Sequence, residues 1–182
     1  MRLFCARTSA VAIGLLLFGV GAVSADTAST TSKRNLFGGK ITVSLPRSAG
    51  APKKVNGKTF QVQPTSSDKK FVIYVTREPL SKDETRKGNK QLSASIKSLL
   101  EAQGYEVIRL TNNGSTFNAD FRSYANAPWQ KVGTTAVRGS AKFIRTTSDE
   151  LFGTILLCDP AQWTDSATKE FKQVVSSTTV TR

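Results

Sequence analysis

Two stretches of the chain are apolar on almost every position, Phe71-Val72-Ile73-Tyr74-Val75 and Leu151–Cys158. Runs this short, apolar on both faces, predict central strands covered from two sides. Elsewhere the pattern alternates. Ile41, Val43 and Leu45 are interleaved with Lys40, Thr42 and Ser44, the period of two expected of a half-buried strand. Pro46 should end it, because proline has no N–H to give a ladder. Asn56-Gly57 is expected to form a type I′ hairpin turn between Val55 and the Thr59–Val62 run. Further strands are expected at Tyr105–Leu110, then, after an Asn112-Asn113-Gly114 turn, at Phe117–Ala125 and Val132–Arg145. Gly133 and Gly139 are expected to mark bulges or a bend in the last of these.

The helical period appears twice. Leu92, Ile96, Leu99 and Leu100 form one apolar stripe. Ser81 and Glu84 stand at capping-box spacing ahead of it. Gly88 and Asn89, both weak helix formers, put the regular helix from about Lys90 onward. Arg77-Glu78-Pro79 is expected to turn the chain from sheet to helix, and Gly104 to supply the left-handed C-terminal cap. Asp159-Pro160 reads as the start of a second helix, an N-cap acceptor followed by proline at the first helical position. Its buried stripe would be Trp163, Ala167, Phe171, Val174 and Val175, with Val180 adding a final extended contact. Helices are too few for a doubly wound parallel sheet. The expected class is α+β, a mainly antiparallel sheet flanked by helices.

The first residues stand outside this pattern. Arg2 and Arg7 precede the apolar Val11–Val20, and Val23-Ser24-Ala25 offers small residues for cleavage. This is the layout of a secretory signal peptide, residues 1–25, rather than of a membrane span. Asp26–Arg34 is polar and without period, and is expected to be a disordered leader. Residues 35–182 are then a single domain. The reading makes the protein periplasmic, exported with cleavage after Ala25, and leaves no transmembrane span in the mature chain.

Charge and chemistry narrow the function further. Loss of residues 1–25 removes Arg2 and Arg7 and no acid, lowering the formal charge from +13 to +11. Such a balance attracts anionic partners, but the cations are scattered, without a basic run. Histidine is absent, which removes the commonest general base and zinc ligand. Cys158 would be the mature chain's only cysteine. It follows Ile155-Leu156-Leu157 and is expected to be buried and inert. Asp83-Glu84 and Asp149-Glu150 are adjacent carboxylates, expected in caps and turns rather than as an acid/base pair. Gly38-Gly39 precedes a strand and lacks a following Gly-Lys-Ser/Thr, so it reads as a turn and not a phosphate loop. Asn113-Gly114-Ser115 matches a glycosylation sequon that decides nothing without a known host. Phe121, Tyr124, Trp129 and Trp163 could in principle stack bases. No RNP-type motif accompanies them, and they are read as core. No catalytic, cofactor-binding or metal-binding residue is assigned, and no cofactor is expected.

Three segments in order carry a family likeness: Asn35-Leu36-Phe37-Gly38-Gly39-Lys40-Ile41-Thr42-Val43-Ser44-Leu45-Pro46, then Val75-Thr76-Arg77-Glu78-Pro79-Leu80, then Ile155-Leu156-Leu157 with Pro160 and a C-terminal helix. Together they resemble the DcrB-like family of exported bacterial envelope proteins. The resemblance implies a PsbP-like α/β/α sandwich and a non-enzymatic protein. It would act by binding a protein partner, in envelope biogenesis, chaperoning or phage uptake. The loops around Pro128–Trp129 and the sheet are the expected contact surfaces. This chain has no lipoprotein cysteine at the end of its apolar N-terminal run, so the lipid tether of that family is not expected. The alternative is a basic module binding an anionic envelope surface or polymer, with nucleic acid not expected.

Overall fold

The computed structural model of the chain describes residues 31–66, 71–123 and 136–181, with backbone alone over 165–168. These form β1 (Thr31–Leu36), β2 (Ile41–Pro46), β3 (Lys53–Asn56), β4 (Thr59–Val62), β5 (Phe71–Pro79), α1 (Lys82–Thr85), α2 (Asn89–Ala102), β6 (Glu106–Asn113), β7 (Thr116–Arg122), β8 (Arg138–Arg145), β9 (Glu150–Cys158), α3 (Asp165–Ser176) and β10 (Thr179–Val180). One sheet has seven antiparallel strands in the order β3-β4-β5-β9-β8-β7-β6, and a second has three, β1-β2-β10. The α+β reading is what the chain adopts. The expected signal peptide, residues 1–25, lies outside the described residues.

The two continuously apolar runs are the paired central strands β5 and β9, in register from Phe71 opposite Cys158 to Pro79 opposite Glu150. Their alternate residues feed two cores. On one face Phe71, Ile73, Val75, Phe152 and Leu156 meet β2 and α3 through Ile41, Val43, Leu45, Phe171 and Val174. On the other, Leu151 joins Phe117, Phe121, Ala141 and Phe143 beneath Leu92, Ile96 and Leu100 of α2. The two covers are offset. The three-stranded sheet lies over β4, β5 and β9 and α3 over β9 and β8, whereas α2 lies over the β6–β9 half. Among the described residues no helix is long and apolar enough to cross a membrane.

Small residues make room for the helix cover. A Cβ on Gly139 would lie 2.3 Å from the Phe121 ring, and one on Gly153 would lie 2.8 Å from Phe143. Gly139 is therefore not the bulge or bend expected of it. The β7–β8 ladder runs through it without a register shift, and its role is to admit an aromatic ring. Gly133 lies outside the described residues. The register shifts fall instead in β6, around Ile108, and in β3, around Val55. These are the two outermost strands of the large sheet, and they leave Val55 48% and Ile108 44% exposed.

Other expectations change in detail. Thr31–Arg34, expected in the disordered leader, belongs to β1 and pairs residue by residue with β2. Its polar side chains carry no period. The strand is dictated by β2, buried at nearly every position and bordered by β1 and β10. The β3–β4 hairpin is present, but its loop is Gly57-Lys58, between Asn56 and its partner Thr59. Asn56, Gly57 and Lys58 do not adopt positive φ, so the turn is not type I′. The Asn56 side-chain oxygen instead accepts from the Lys58 N–H at 2.8 Å, an Asx turn that substitutes for it. Gly38-Gly39 is a turn as expected, with Phe37, Gly38 and Gly39 all at positive φ.

The strand-to-helix passage comes later than expected. Arg77, Glu78 and Pro79 remain paired with Phe152, Leu151 and Glu150 in β5. The Ser81–Glu84 capping box forms, with the Glu84 N–H donating to Ser81 Oγ at 3.3 Å and the Ser81 N–H to Glu84 Oε2 at 2.9 Å. It closes the single-turn α1, and α2 begins anew at Asn89. Gly104 has φ +84° as required of the cap. Asp159 likewise caps only a short 3-10 turn, Pro160–Gln162, through the Ala161 N–H at 2.9 Å. The α3 helix starts at Asp165 and Val180 pairs with Ile41. Trp163 therefore precedes the helix whose stripe it was expected to join, and the Ala167 side chain lies outside the described residues.

Candidate interaction surface

The α3-side face of the large sheet changes character along its hydrogen-bonding direction. One transverse row runs Phe71, Cys158, Arg138, Arg122, Glu106 from β5 to β6. The next runs Ile73, Leu156, Ser140, Asp120, Arg109, and a third Val75, Thr154, Lys142, Asn118, Thr111. The first two pass from apolar on β5 and β9, and the third from Val75 on β5 through the buried Thr154 on β9, to polar or charged on β8, β7 and β6. The three-stranded cover stops short of β8, whereas α3 reaches onto it through Lys142, and among the described residues the face is most open over β7 and β6. Across β8, β7 and β6 this face brings together four cations, Arg109, Arg122, Arg138 and Lys142, and two carboxylates, Glu106 and Asp120. They come from separate parts of the sequence, and only strand register assembles them.

Several of these side chains are held in place. Arg122 binds Glu106 through two hydrogen bonds, Nε at 3.0 Å and Nη2 at 3.1 Å, a fork that fixes both groups. Ser140 Oγ donates to Asp120 at 2.9 Å. Lys142 Nζ donates to the backbone oxygens of Ser176 and Thr178, each at 2.8 Å, tying β8 to the end of α3. Desolvation in that position lowers the Lys142 pKa from its ordinary value. The Arg138 guanidinium lies over the Trp163 ring at 5.6 Å, and its Nε is buried without a hydrogen-bond partner. Arg109 is exposed and forms no ion pair among the described residues.

The carboxylate pairs flagged in the sequence belong to other elements, and Arg145 links their neighbourhoods by donating to the Lys87 oxygen while standing 3.9 Å from Asp149. Glu84 is buried in the capping box and Asp83 is exposed beside it. Asp149 occupies the β8–β9 turn at positive φ. Glu150 receives hydrogen bonds from Arg77 Nε at 2.6 Å and Lys40 Nζ at 3.2 Å. Burial alone would raise the Glu150 pKa, but these two cations outweigh it and leave the carboxyl below its ordinary value. Cys158 is buried as expected, and desolvation with the nearby Asp159 charge pushes its thiol up to about 12. At neutral pH it stays protonated and unreactive. Phe121 is core, as read. Trp163 is only partly buried, packed on Phe171. Tyr124, Pro128 and Trp129 lie outside the described residues.

Among the described residues no three His, Cys, Asp or Glu side chains gather to hold a metal. A hollow of about 160 Å³ lined by Gly50, Ala51, Lys53, Gln61, Gln63 and Pro64 borders the β3–β4 hairpin. It falls below the roughly 300–1,000 Å³ of small-molecule sites. The charged half-face, built on rigid strands, is the stronger candidate for function. The sequence offered only a weak signal for it, the polar residues at every second position of β7.

No family model and no curated protein matches the chain. Solved structures do. The Ran-binding protein Mog1p of Saccharomyces cerevisiae is similar at TM-score 0.59 and 16% identity, over 84% of this chain and 96% of that one. A mutant form of Mog1 gives TM-score 0.59 at 15% identity, over 83% and 96%. Cyanobacterial PsbP (CyanoP) of Synechocystis sp. PCC 6803 is similar at TM-score 0.60 and 16% identity, over 89% and 99%. The chain has the PsbP-like fold.

Proposed function

We propose that this chain is a non-enzymatic binding protein of the bacterial envelope, akin to the DcrB-like family, exported with cleavage after Ala25 and acting through a protein partner. The observation that carries the reading is the charged sheet face, exposed among the described residues at Asn118 and Arg109, where cations and carboxylates from three strands are held by strand register. Such a surface suits recognition of another macromolecule. The PsbP-like fold supports it, since Mog1p, which shares that fold, is described as Ran-binding. Only the habit of binding proteins is taken from that relative, not its partner. Cleavage after Ala25 is compatible with the domain, because β1 begins at Thr31. Cell fractionation with N-terminal sequencing tests the export: a periplasmic protein beginning at Asp26 is expected. A cytoplasmic protein retaining Met1 would overturn the envelope reading.

A second reading rests on a different observation. From Arg47 to Ser66 the chain holds Arg47, Lys53, Lys54 and Lys58 and no acid, and β3 is exposed at all four positions. This hairpin is the natural contact for an anionic envelope surface or polymer. Retention on phosphatidylglycerol vesicles should then fall steeply with salt and be lost on replacing Lys53, Lys54 and Lys58 by glutamine. Retention that ignores both changes would end this reading.

A further inference from the structure

We infer that the charged half-face of β6, β7 and β8 docks an acidic surface of a partner protein, with Arg109, Arg122 and Arg138 as its anchoring cations. The inference rests on the protein-binding reading and names its face and chemistry. A polar sheet face is often merely solvated, and three observations lift this one above that. Arg138 is held over Trp163 with its Nε buried and unpartnered, a cation positioned without an anion. Arg109 stands exposed with no ion pair among the described residues. Arg122 is pinned by two hydrogen bonds from its guanidinium to Glu106, so it loses little freedom when a partner arrives. Arginine forks match carboxylates in two parallel hydrogen bonds, and arginine with tryptophan is enriched where binding energy concentrates.

The signs of charge choose between kinds of partner. Glu106 and Asp120 stand among the arginines, opposite Arg122 and Arg109 in register. A nucleic acid or an anionic bilayer offers negative charge alone and would be repelled at those two points. A protein surface can set acids against the arginines and a base against the carboxylates. Strand addition at the sheet margins is disfavoured, because both outermost strands carry a bulge.

The test uses the full chain in its native host, with a photo-reactive residue placed in turn at Asn118, Gln61 and Lys54. Asn118 is exposed in the middle of the charged half-face. Gln61 pairs with Tyr74 on the opposite face, and Lys54 is on the basic hairpin. Irradiation should yield a protein adduct from Asn118, with an excess of Asp and Glu in the partner peptide identified by mass spectrometry. Arg109→Gln should cut its yield about tenfold while leaving the melting temperature nearly unchanged, since Arg109 makes no ion pair among the described residues and glutamine sets no second carboxylate opposite Asp120. Arg122→Gln should reduce it in the same direction. Protein adducts from Gln61 or Lys54 but not Asn118 would refute this face and leave the protein-binding reading standing. Lipid or nucleic-acid adducts from Asn118, a partner peptide without acidic excess, or indifference to Arg109→Gln would also refute it. No protein adduct from any of the three positions would refute the underlying reading itself.

Discussion

At Gly139 the helix-side face of the sheet leaves no space for a side chain, since a Cβ there would sit 2.3 Å from the Phe121 ring. Phe121 is fully buried and touches Tyr105 with ring centroids 4.9 Å apart, so it cannot simply swing away. Gly139→Ala is expected to destabilise the fold by about 1–3 kcal/mol, measured by denaturant unfolding; a neutral result would mean that the ring has room to move. Glu150 makes a second prediction. Its pKa is below the ordinary 4.5 because Arg77 and Lys40 outweigh its burial. A carboxyl with a lowered folded pKa contributes stability that is fully present above its unfolded value and is lost as pH falls through the folded one. Glu150→Gln should therefore cost about 1–2 kcal/mol at neutral pH, and the gap to wild type should close as pH drops below 4.5. A gap independent of pH would show that Glu150 acts through packing rather than charge.

Elements were legible in the sequence wherever one side chain in two, or one in three or four, had to be buried. The strand β2 and the stripe of α2 follow from that rule, β5 and β9 from being apolar on both faces, and the capping box marked where the chain turns helical but not that α1 is a separate single turn. What escaped was set by the partner rather than by the segment. The polar strand β1 exists because β2 needs a neighbour, and Gly139 exists because Phe121 needs a space. The candidate surface escaped for the same reason: Glu106, Asp120 and Arg138 are far apart in sequence, and register alone brings them together. Lys142 illustrates how elements are tied across such distances, with its ammonium satisfying two carbonyls at the end of α3. Lys142→Met keeps the stem and removes the ammonium. It should cost about 1–2 kcal/mol and speed amide exchange in the last turn of α3; unchanged protection there would contradict the link.

For the whole molecule, the offset covers raise the question of whether two cores mean two folding units. β9 argues for one. Phe152, Leu156 and Cys158 enter the core beneath α3, while Leu151, Ile155 and Leu157 serve the core beneath α2. Losing either cover loosens the strand that the other requires. Amide protection of α2 and of β2 should therefore collapse at the same denaturant concentration, and two separated midpoints would disprove the coupling. The three-stranded sheet has a mechanical consequence. Thr31 lies opposite Pro46 and Val180 opposite Ile41, so β1 enters at one end of β2 and β10 leaves at the other. A pull on the two ends of the described chain acts along these strands and loads their hydrogen bonds together, as shear, rather than opening them one at a time. The two-residue β10 is the shorter side of this clamp, held further by the Thr181 N–H to the Lys40 oxygen at 3.0 Å. Under tension it is the side that yields, releasing α3 before β1 has slipped.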